Sequence, residues 1–559
     1  MIPVPLHGFS RAASLLRGLA VLSIGLMFSS TGFLRADDSV GSWSSFRDGG
    51  TSRASAPLPT RWSASEGIAW QKELEGYGQS APVIHAGKVI VTSVIGPNCQ
   101  QIAVDCLDLA TGQATWSYRR ASSNEHPSNY MNARAAPTPI VDDAGVYAFF
   151  ETGDFVALDW EGEMVWHRDE TETSGKFDNS HGIGASPASD ATSLYLLIEH
   201  GGPSSLSAVN KTDGSVRWSI ERDSTKSWAS PVIATIDGRS QVIVSSGGTV
   251  TGYDTADGTE VWQLDGVEGN SVPSPVVDGE RLIVAARLPE FSSDGQVRAN
   301  CAVDLSRLKD GKPEVLWRAE KAISEYASPV VCGEFVYFLN KANVLHCIDI
   351  ATGKIAYRKR LSLACWATPI VAGDLVYFFA KSGETKVVRA GATYEELAVN
   401  ALWDVSNPPA PLHYRESQGG HGGQGESGGH KGRGEPGAHA KEGVPTEESP
   451  TGGHGGEGPK KAPGGGMVAR MMAGDANGDG VLEGEEVPEM FRAMIGRIDT
   501  DGDGRIDADE LEAMAKSFAE RRKDSAASAR DPIVYGVAAA DGRIAIRTGT
   551  RLYVVAHDH

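Results

Sequence analysis

The chain has 559 residues, 40% of them hydrophobic, with 52 basic against 72 acidic side chains and a net charge of -20. An acidic balance argues against nucleic acid as a partner, because a polyphosphate is held by a basic field. Six cysteines (Cys99, Cys106, Cys301, Cys332, Cys347, Cys365) are too sparse for a disulfide scaffold in so long a chain, and none has the Cys-x-x-Cys spacing of a zinc or redox site. Cys99 and Cys106 are near enough in sequence for a local bridge.

The chain opens with Arg11 and Arg17, an apolar run from Leu19 to Phe28, and small residues leading to Ala36. This reads as a secretory signal peptide over residues 1–36. The apolar run is short for a transmembrane helix, and an uncleaved anchor is the alternative. No cysteine near the cleavage region could carry a lipid, and no other long apolar run follows. The expectation is an exported protein of the bacterial envelope, periplasmic or extracellular, with no integral span in the mature chain. Losing the three arginines of residues 1–36, which contain no acid, leaves 49 basic against 72 acidic groups, a charge of -23.

From about residue 65 one unit recurs: a Ser/Thr/Ala-Pro start, short β-rich runs with turns, then Asp-x-x-x-Gly-x-x-x-Trp or a near copy. The starts are Pro82, Pro139, Pro187, Pro231, Pro275, Pro329, Pro369 and Pro532, spaced 40 to 57 residues apart until a last interval of 163. Such a period, with about four strands per unit, predicts an all-β fold, an eight-bladed β-propeller. The unit-ending Trp116, Trp166, Trp218, Trp262 and Trp317 are expected to fill space between blades. The last unit has room for three strands only, whereas Ile68-Ala69-Trp70-Gln71 supplies an orphan strand; the N-terminal strand is therefore expected to complete the last blade and remove an open sheet edge. The domain reading is a signal peptide over 1–36, propeller over 37–407, linker over 408–466, a small α-helical EF-hand pair over 467–525, and the last blade over 526–559.

Motifs of the type Leu107-Asp108-Leu109-Ala110-Thr111-Gly112 to Trp116 resemble the pyrroloquinoline-quinone-type β-propeller repeats, and among their functional relatives the bacterial outer-membrane assembly propeller lipoprotein. The resemblance covers about residues 43–405 and 531–559 and speaks to fold more than to function. This chain lacks the lipid-bearing cysteine of that lipoprotein and carries an insertion of its own.

The insertion begins with residues 408–466, rich in Gly, Pro, Glu and His, which read as a flexible linker. Its histidines (His413, His421, His430, His439, His454) are irregularly spaced, and solvated linker is preferred to a metal site. Two calcium loops follow. Asp475, Asn477, Asp479, the Val481 carbonyl, Glu483 and Glu486 stand at positions 1, 3, 5, 7, 9 and 12 of the first, with Gly480 at 6. Asp499, Asp501, Asp503, Arg505, Asp507 and Glu510 repeat the pattern. A hard cation collects six or seven oxygens in such a loop, the glycine makes the sharp turn and the last glutamate binds with both oxygens, so two calcium ions are expected. Leu482 and Ile506 at position 8 can form the short β contact that couples paired loops. One helix is expected between the loops, with Pro488 in its first turn, and another over about Ala508 to Lys523. The methionines nearby serve either as its core or as a calcium-exposed contact surface.

Propellers bind at the ends of their channel, so the residues just before each Pro start form the candidate ligand face: Tyr77, Asn132, Arg134, His181, Trp228, Asn270, Glu325, Tyr326 and Trp366. Such a set suits a protein, peptide or carbohydrate. Two function classes stay open. One is a non-catalytic binding or assembly scaffold. The other is a quinone (PQQ)-dependent oxidoreductase, whose relatives commonly set adjacent cysteines against the quinone; no adjacent pair occurs here. Glu325 and His181 would be its acid/base candidates, and the sequence nominates no catalytic residue otherwise.

Overall fold

The structure is a computed structural model that describes residues 41–125, 134–179, 181–286, 300–319, 322–410 and 536–557, with 475, 481–483, 486, 505–507 and 510–511. The leader, most of the linker and much of the calcium module lie outside the described residues. Six consecutive four-stranded antiparallel sheets begin at Val83, Ile140, Ala188, Val232, Val276 and Val330, a seventh beginning at Ile370 adds a fifth, parallel strand, Arg53–Ala54, and an eighth is built from Val537–Ala540, Arg543–Arg547, Arg551–Val555 and Ile68–Glu73. The eight-bladed propeller is thus closed by an N-terminal strand, which pairs antiparallel with the last strand of the chain, Gln71 opposite Tyr553.

The repeat signature has a physical reason at each end. In blade one, Trp116 donates from Nε1 to the Trp160 carbonyl of blade two (2.9 Å), and the same link joins Trp166 to Lys211, Trp218 to Thr255 and Trp317 to Ile350. Each ring lies against the glycine of the next blade's hairpin: a Cβ on Gly258 would come within 2.7 Å of Trp218 Cε3. Trp70 of the closing strand makes the identical latch to Leu109 (2.9 Å), over Gly112. Trp262 is the exception, buried but bonded to Gln241 within its own blade (2.6 Å). At the other end, the residue before each start proline forms a girdle. The backbone N–H groups of Ala81, Thr138, Ser186, Ser230, Ser274 and Ser328 donate to the hydroxyls of Thr138, Ser186, Ser230, Ser274, Ser328 and Thr368 respectively, at 2.8–3.2 Å. The small polar residue of the Ser/Thr-Pro motif is therefore a blade-to-blade tie.

One expectation falls outside the described residues and one is corrected. Pro532 is not among the described residues; the last blade's innermost strand starts at Val537, directly after Gly536, which holds the place that proline holds elsewhere. A Cβ on Gly536 would press on the Arg547 carbonyl (2.7 Å). Cys99 and Cys106 form no bridge: none of the six cysteines is in a disulfide, all are buried, and Cys106 sits mid-strand between Ile90 and Trp116.

Ahead of the closing strand, residues 41–54 occupy the channel. Trp43 bridges Ile84 of blade one, the Ser44 carbonyl accepts from Val141 of blade two, and Arg53–Ala54 pair parallel with Val371–Ala372 of blade seven. Contacts to the innermost strands of so many blades place the segment inside the ring. Gly41 lies by Asp541, at the turn between the two inner strands of blade eight, and the segment returns past the same turn, the Pro57 carbonyl being 3.6 Å from a Cβ on Gly542. Its tip, Arg47–Gly50, reaches Val232 and the Pro275 carbonyl, at the girdle.

Candidate ligand face and calcium loops

Strands alternate in direction across each blade, so one face of the ring, here the upper, carries the connections from each outermost strand to the next innermost strand. Those connections hold the candidate residues. The insertion leaves and returns through one of them, between Glu395–Ala401 of blade seven and Val537–Ala540 of blade eight. Arg551 of blade eight donates to the Ala410 carbonyl (2.7 Å), fixing the start of the arm on that face. The lower end is filled by residues 41–54.

The candidates fall into clusters that bridge neighbouring blades. Between blades one and two, the buried Arg134 guanidinium lies 4.9 Å from the centre of the Tyr77 ring. Between blades three and four, His181 and Trp228 are 5.9 Å apart, and Trp228 Nε1 donates to the Gly182 carbonyl (2.9 Å). Between blades six and seven, Tyr326 and Trp366 stack at 4.3 Å and 23°, with the Lys381 ammonium 3.8 Å from the Trp366 ring. Glu325 is buried and pairs with the Lys341 ammonium (3.4 Å). Asn270 departs from its expected role: fully buried, it bonds Ser245, Thr249 and the Gly248 N–H, and so locks a blade-four hairpin. Asn132 lies outside the described residues.

Sequence reasoning missed the charged residues that the second strand of a blade brings to the upper face. Glu151 is 3% exposed; its Oε2 accepts the Ala135 N–H (2.7 Å), and burial pushes its carboxyl up to about 7 despite nearby Arg134. Arg547 donates to Ser80 (2.8 Å) and Ser93 (2.9 Å) across the seam between the last and first blades. Nothing in the repeat pattern marks these positions, since each is a departure from it. A groove of about 630 Å³ lined by Asp142, Tyr147, Lys211 and Arg217 lies between blades two and three on the lower face. Its cations are already engaged, Lys211 by Asp142 (2.7 Å) and Arg217 by Ser193 (2.6 Å). The upper face, with its aromatic clusters, is the better candidate.

The calcium loops are coupled as the spacing predicts. Leu482–Glu483 and Arg505–Ile506 form a two-stranded antiparallel ladder with Leu482 opposite Ile506, both fully buried. In both loops the N–H of position 9 faces the carboxylate of position 12: Glu483 donates to Glu486 (3.4 Å) and Asp507 to Glu510 (3.3 Å). This turns the last glutamate back over its loop, the placement a bidentate ligand needs. Arg505 also pairs with Glu483 across the ladder (3.0 Å). Glu510 and Leu511 are helical, inside the expected second helix. Asn477, Asp479, Asp499, Asp501 and Asp503 lie outside the described residues. The donors that are described, with Asp475 and the Val481 carbonyl among them, fit calcium.

Among solved structures, the chain is similar to BamB from Moraxella catarrhalis, at 13% identity over 60% of this chain and 90% of that one, with a TM-score of 0.44. It is also similar to the quinohemoprotein alcohol dehydrogenase of Comamonas testosteroni (14% identity, 64% of this chain, 73% of that one, TM-score 0.47). A europium-containing methanol dehydrogenase matches at 11% identity over 65% and 86%, with a TM-score of 0.43. No curated protein matches. The EF-hand family profile matches residues 491–515, which contain the second loop. Among the described residues no helix is long and apolar enough to cross a membrane. Profile matches over residues 60–197, 202–308 and 304–419, more than half of the chain, make it a member of the family described as outer membrane protein assembly factor BamB.

Proposed function

We propose that this chain is an exported, non-catalytic binding or assembly scaffold. Its upper face holds a protein, peptide or carbohydrate, and a module binding two calcium ions is tethered at that same face. The observation that carries the reading is topological: both ends of the insertion join the ring on the face with the aromatic and charged clusters, while residues 41–54 fill the other end of the channel. Export rests on the basic, apolar and small-residue pattern of residues 1–36, and the BamB family supports a protein as the partner. Calcium would be bound by the two loops, where neutralising crowded carboxylates orders the module beside the rim.

A second reading, a quinoprotein oxidoreductase, draws on Glu151, whose carboxyl sits near neutrality beside Arg134, as a proton acceptor. A quinone needs a flat aromatic sandwich. Here Trp366 is already stacked by Tyr326 and approached by Lys381, and no two cysteines are adjacent. These residues do not make a quinone slot, and no step is derived through one. The test is to mix purified calcium-loaded protein with pyrroloquinoline quinone and follow its absorbance and an alcohol-dependent dye reduction. The scaffold reading expects neither a difference spectrum nor turnover. Alcohol-dependent turnover refutes it.

A further inference from the structure

The tip of the channel segment carries a cation with too few partners. Arg47 is 3% exposed, and Nη2 donates to the Pro275 carbonyl (2.6 Å). Nε and Nη1 are buried with no acceptor among the described residues. Leaving a buried donor unmet costs about 1–3 kcal/mol, more for a charged group. Among the described residues no carboxylate pairs with this guanidinium, whose other neighbour is the Phe46 ring, 5.3 Å from Cζ. Asp48, the nearest acid in sequence, accepts from the Ser44 N–H (3.0 Å) below the tip.

The tip reaches the level of a ring of donors, touching the Pro275 carbonyl next to Ser274 and Val232 close to Ser230. The hydroxyls of Thr138, Ser186, Ser230, Ser274, Ser328 and Thr368 each accept one backbone N–H, and none donates to an acceptor among the described residues. A cation and a girdle of O–H groups, with little to accept from them, lack an anion rich in lone pairs. The backbone is also strained to hold the cation there: Arg47, Asp48 and Ser52 have φ of +57°, +46° and +55°, a left-handed conformation that costs a residue with a Cβ about 1–2 kcal/mol. Strain of this kind persists where surrounding structure enforces it, often at a ligand site. Gly49, two residues beyond Arg47, is exposed, and a Cβ there would touch nothing within 4 Å.

We propose that Arg47 is the cationic floor of an oxyanion-binding site on the channel axis, reached from the upper face. Its ligand class is a carboxylate or phosphate-type group, which the planar guanidinium can hold through two parallel hydrogen bonds. Burial holds the free guanidinium down at about 9, and a bound anion would offset that cost. The site does not depend on which partner occupies the rim, so its failure would leave the scaffold reading intact.

The test melts the full-length, calcium-loaded protein in sodium formate against sodium chloride at equal ionic strength. Formate should raise the wild-type melting temperature saturably. Arg47→Met should lose that rise while melting at or above wild type in chloride, because the unpaired cation is gone. A rise with formate alone assigns the site to a small free ion. A rise with acetyl-Gly-Gly-Asp as well, absent for its Asn counterpart, assigns it to a carboxylate borne by a larger partner. No rise, or equal rises in wild type and variant, overturns the proposal. Should Arg47→Met fail to fold, wild-type crystals grown with selenate decide: an anomalous peak within hydrogen-bonding reach of Nε and Nη1 supports the site, and a channel without one refutes it.

Discussion

Gly258 and Gly311 offer a matched pair that isolates the tryptophan latch. Each is the left-handed glycine of the hairpin leading into an outermost strand, at φ +77° in blade four and +74° in blade five. Alanine at either position should lose about 1–2 kcal/mol to backbone strain alone. A Cβ on Gly311 meets nothing within 4 Å, whereas one on Gly258 would approach Trp218 Cε3 at 2.7 Å and Cδ2 at 3.0 Å. The ring must then shift, adding an overpacking cost of about 1–3 kcal/mol. Losing the Trp218 bond to the Thr255 carbonyl would add about 1 kcal/mol. Gly258→Ala should therefore be roughly 2–4 kcal/mol worse than Gly311→Ala in urea unfolding at unchanged m. In a Trp218→Ala background the excess should vanish, since the clash has no partner. Equal losses for the two glycines, or an excess that survives removal of Trp218, would refute the latch.

Glu151 predicts a pH signature. Its folded carboxyl is raised from 4.5 to about 7, so the fold binds a proton the unfolded chain has released. The benign, protonated state is fully present below about pH 4.5 and stability is lost as pH rises through 7, by up to about 3 kcal/mol. Glu151→Gln should match wild type at pH 4.5 and exceed it at pH 8; a constant difference across that range would contradict the burial argument. Calcium binding should be separable from the ring, with affinity on the order of 10⁻⁵ to 10⁻³ M. Calorimetry should lose one site in Glu486→Gln and one in Glu510→Gln, and replacing residues 412–528 by a short Gly/Ser bridge should leave a propeller that melts normally without calcium sites. Unchanged two-site binding in either point variant would sink the ligand assignment.

The parts of the molecule that the sequence made legible are those that repeat. A hairpin glycine and a tryptophan recur together because one blade's ring must lie on the next blade's turn, and a Ser/Thr-Pro start recurs because its hydroxyl ties two blades. Ile68–Glu73 could be assigned to the last blade by counting strands, since a ring tolerates no orphan. The aromatic clusters were half legible: the connections put His181, Trp228, Tyr326 and Trp366 on one face, but which rings meet, and the flanking Lys381 from a different turn, were not readable. Asn270 looked like a rim residue because its place in the connection is the same. Only the hairpin it fills distinguishes it.

Arg47 shows what periodic reading misses by construction. It precedes the first repeat, its guanidinium makes its one hydrogen bond among the described residues across 228 residues of sequence, and its neighbours Phe46 and Asp48 belong to no motif. The girdle it approaches comes from six separate blades, each contributing a side chain already explained by packing. A site assembled from one residue outside the repeat and one hydroxyl from each of several units leaves no local pattern. It becomes visible only when buried donors are counted against acceptors. That accounting also separates the two ends of the channel. The lower end pairs its backbone through Trp43, Ser44 and Arg53–Ala54 and leaves one buried donor, Trp43 Nε1, unmet, while the tip above them leaves two on a single guanidinium. Residues 41–54 therefore act both as the lower seal of the channel and as the floor of the upper face, and a ligand arriving from above meets a cation that the repeat alone would never have placed there.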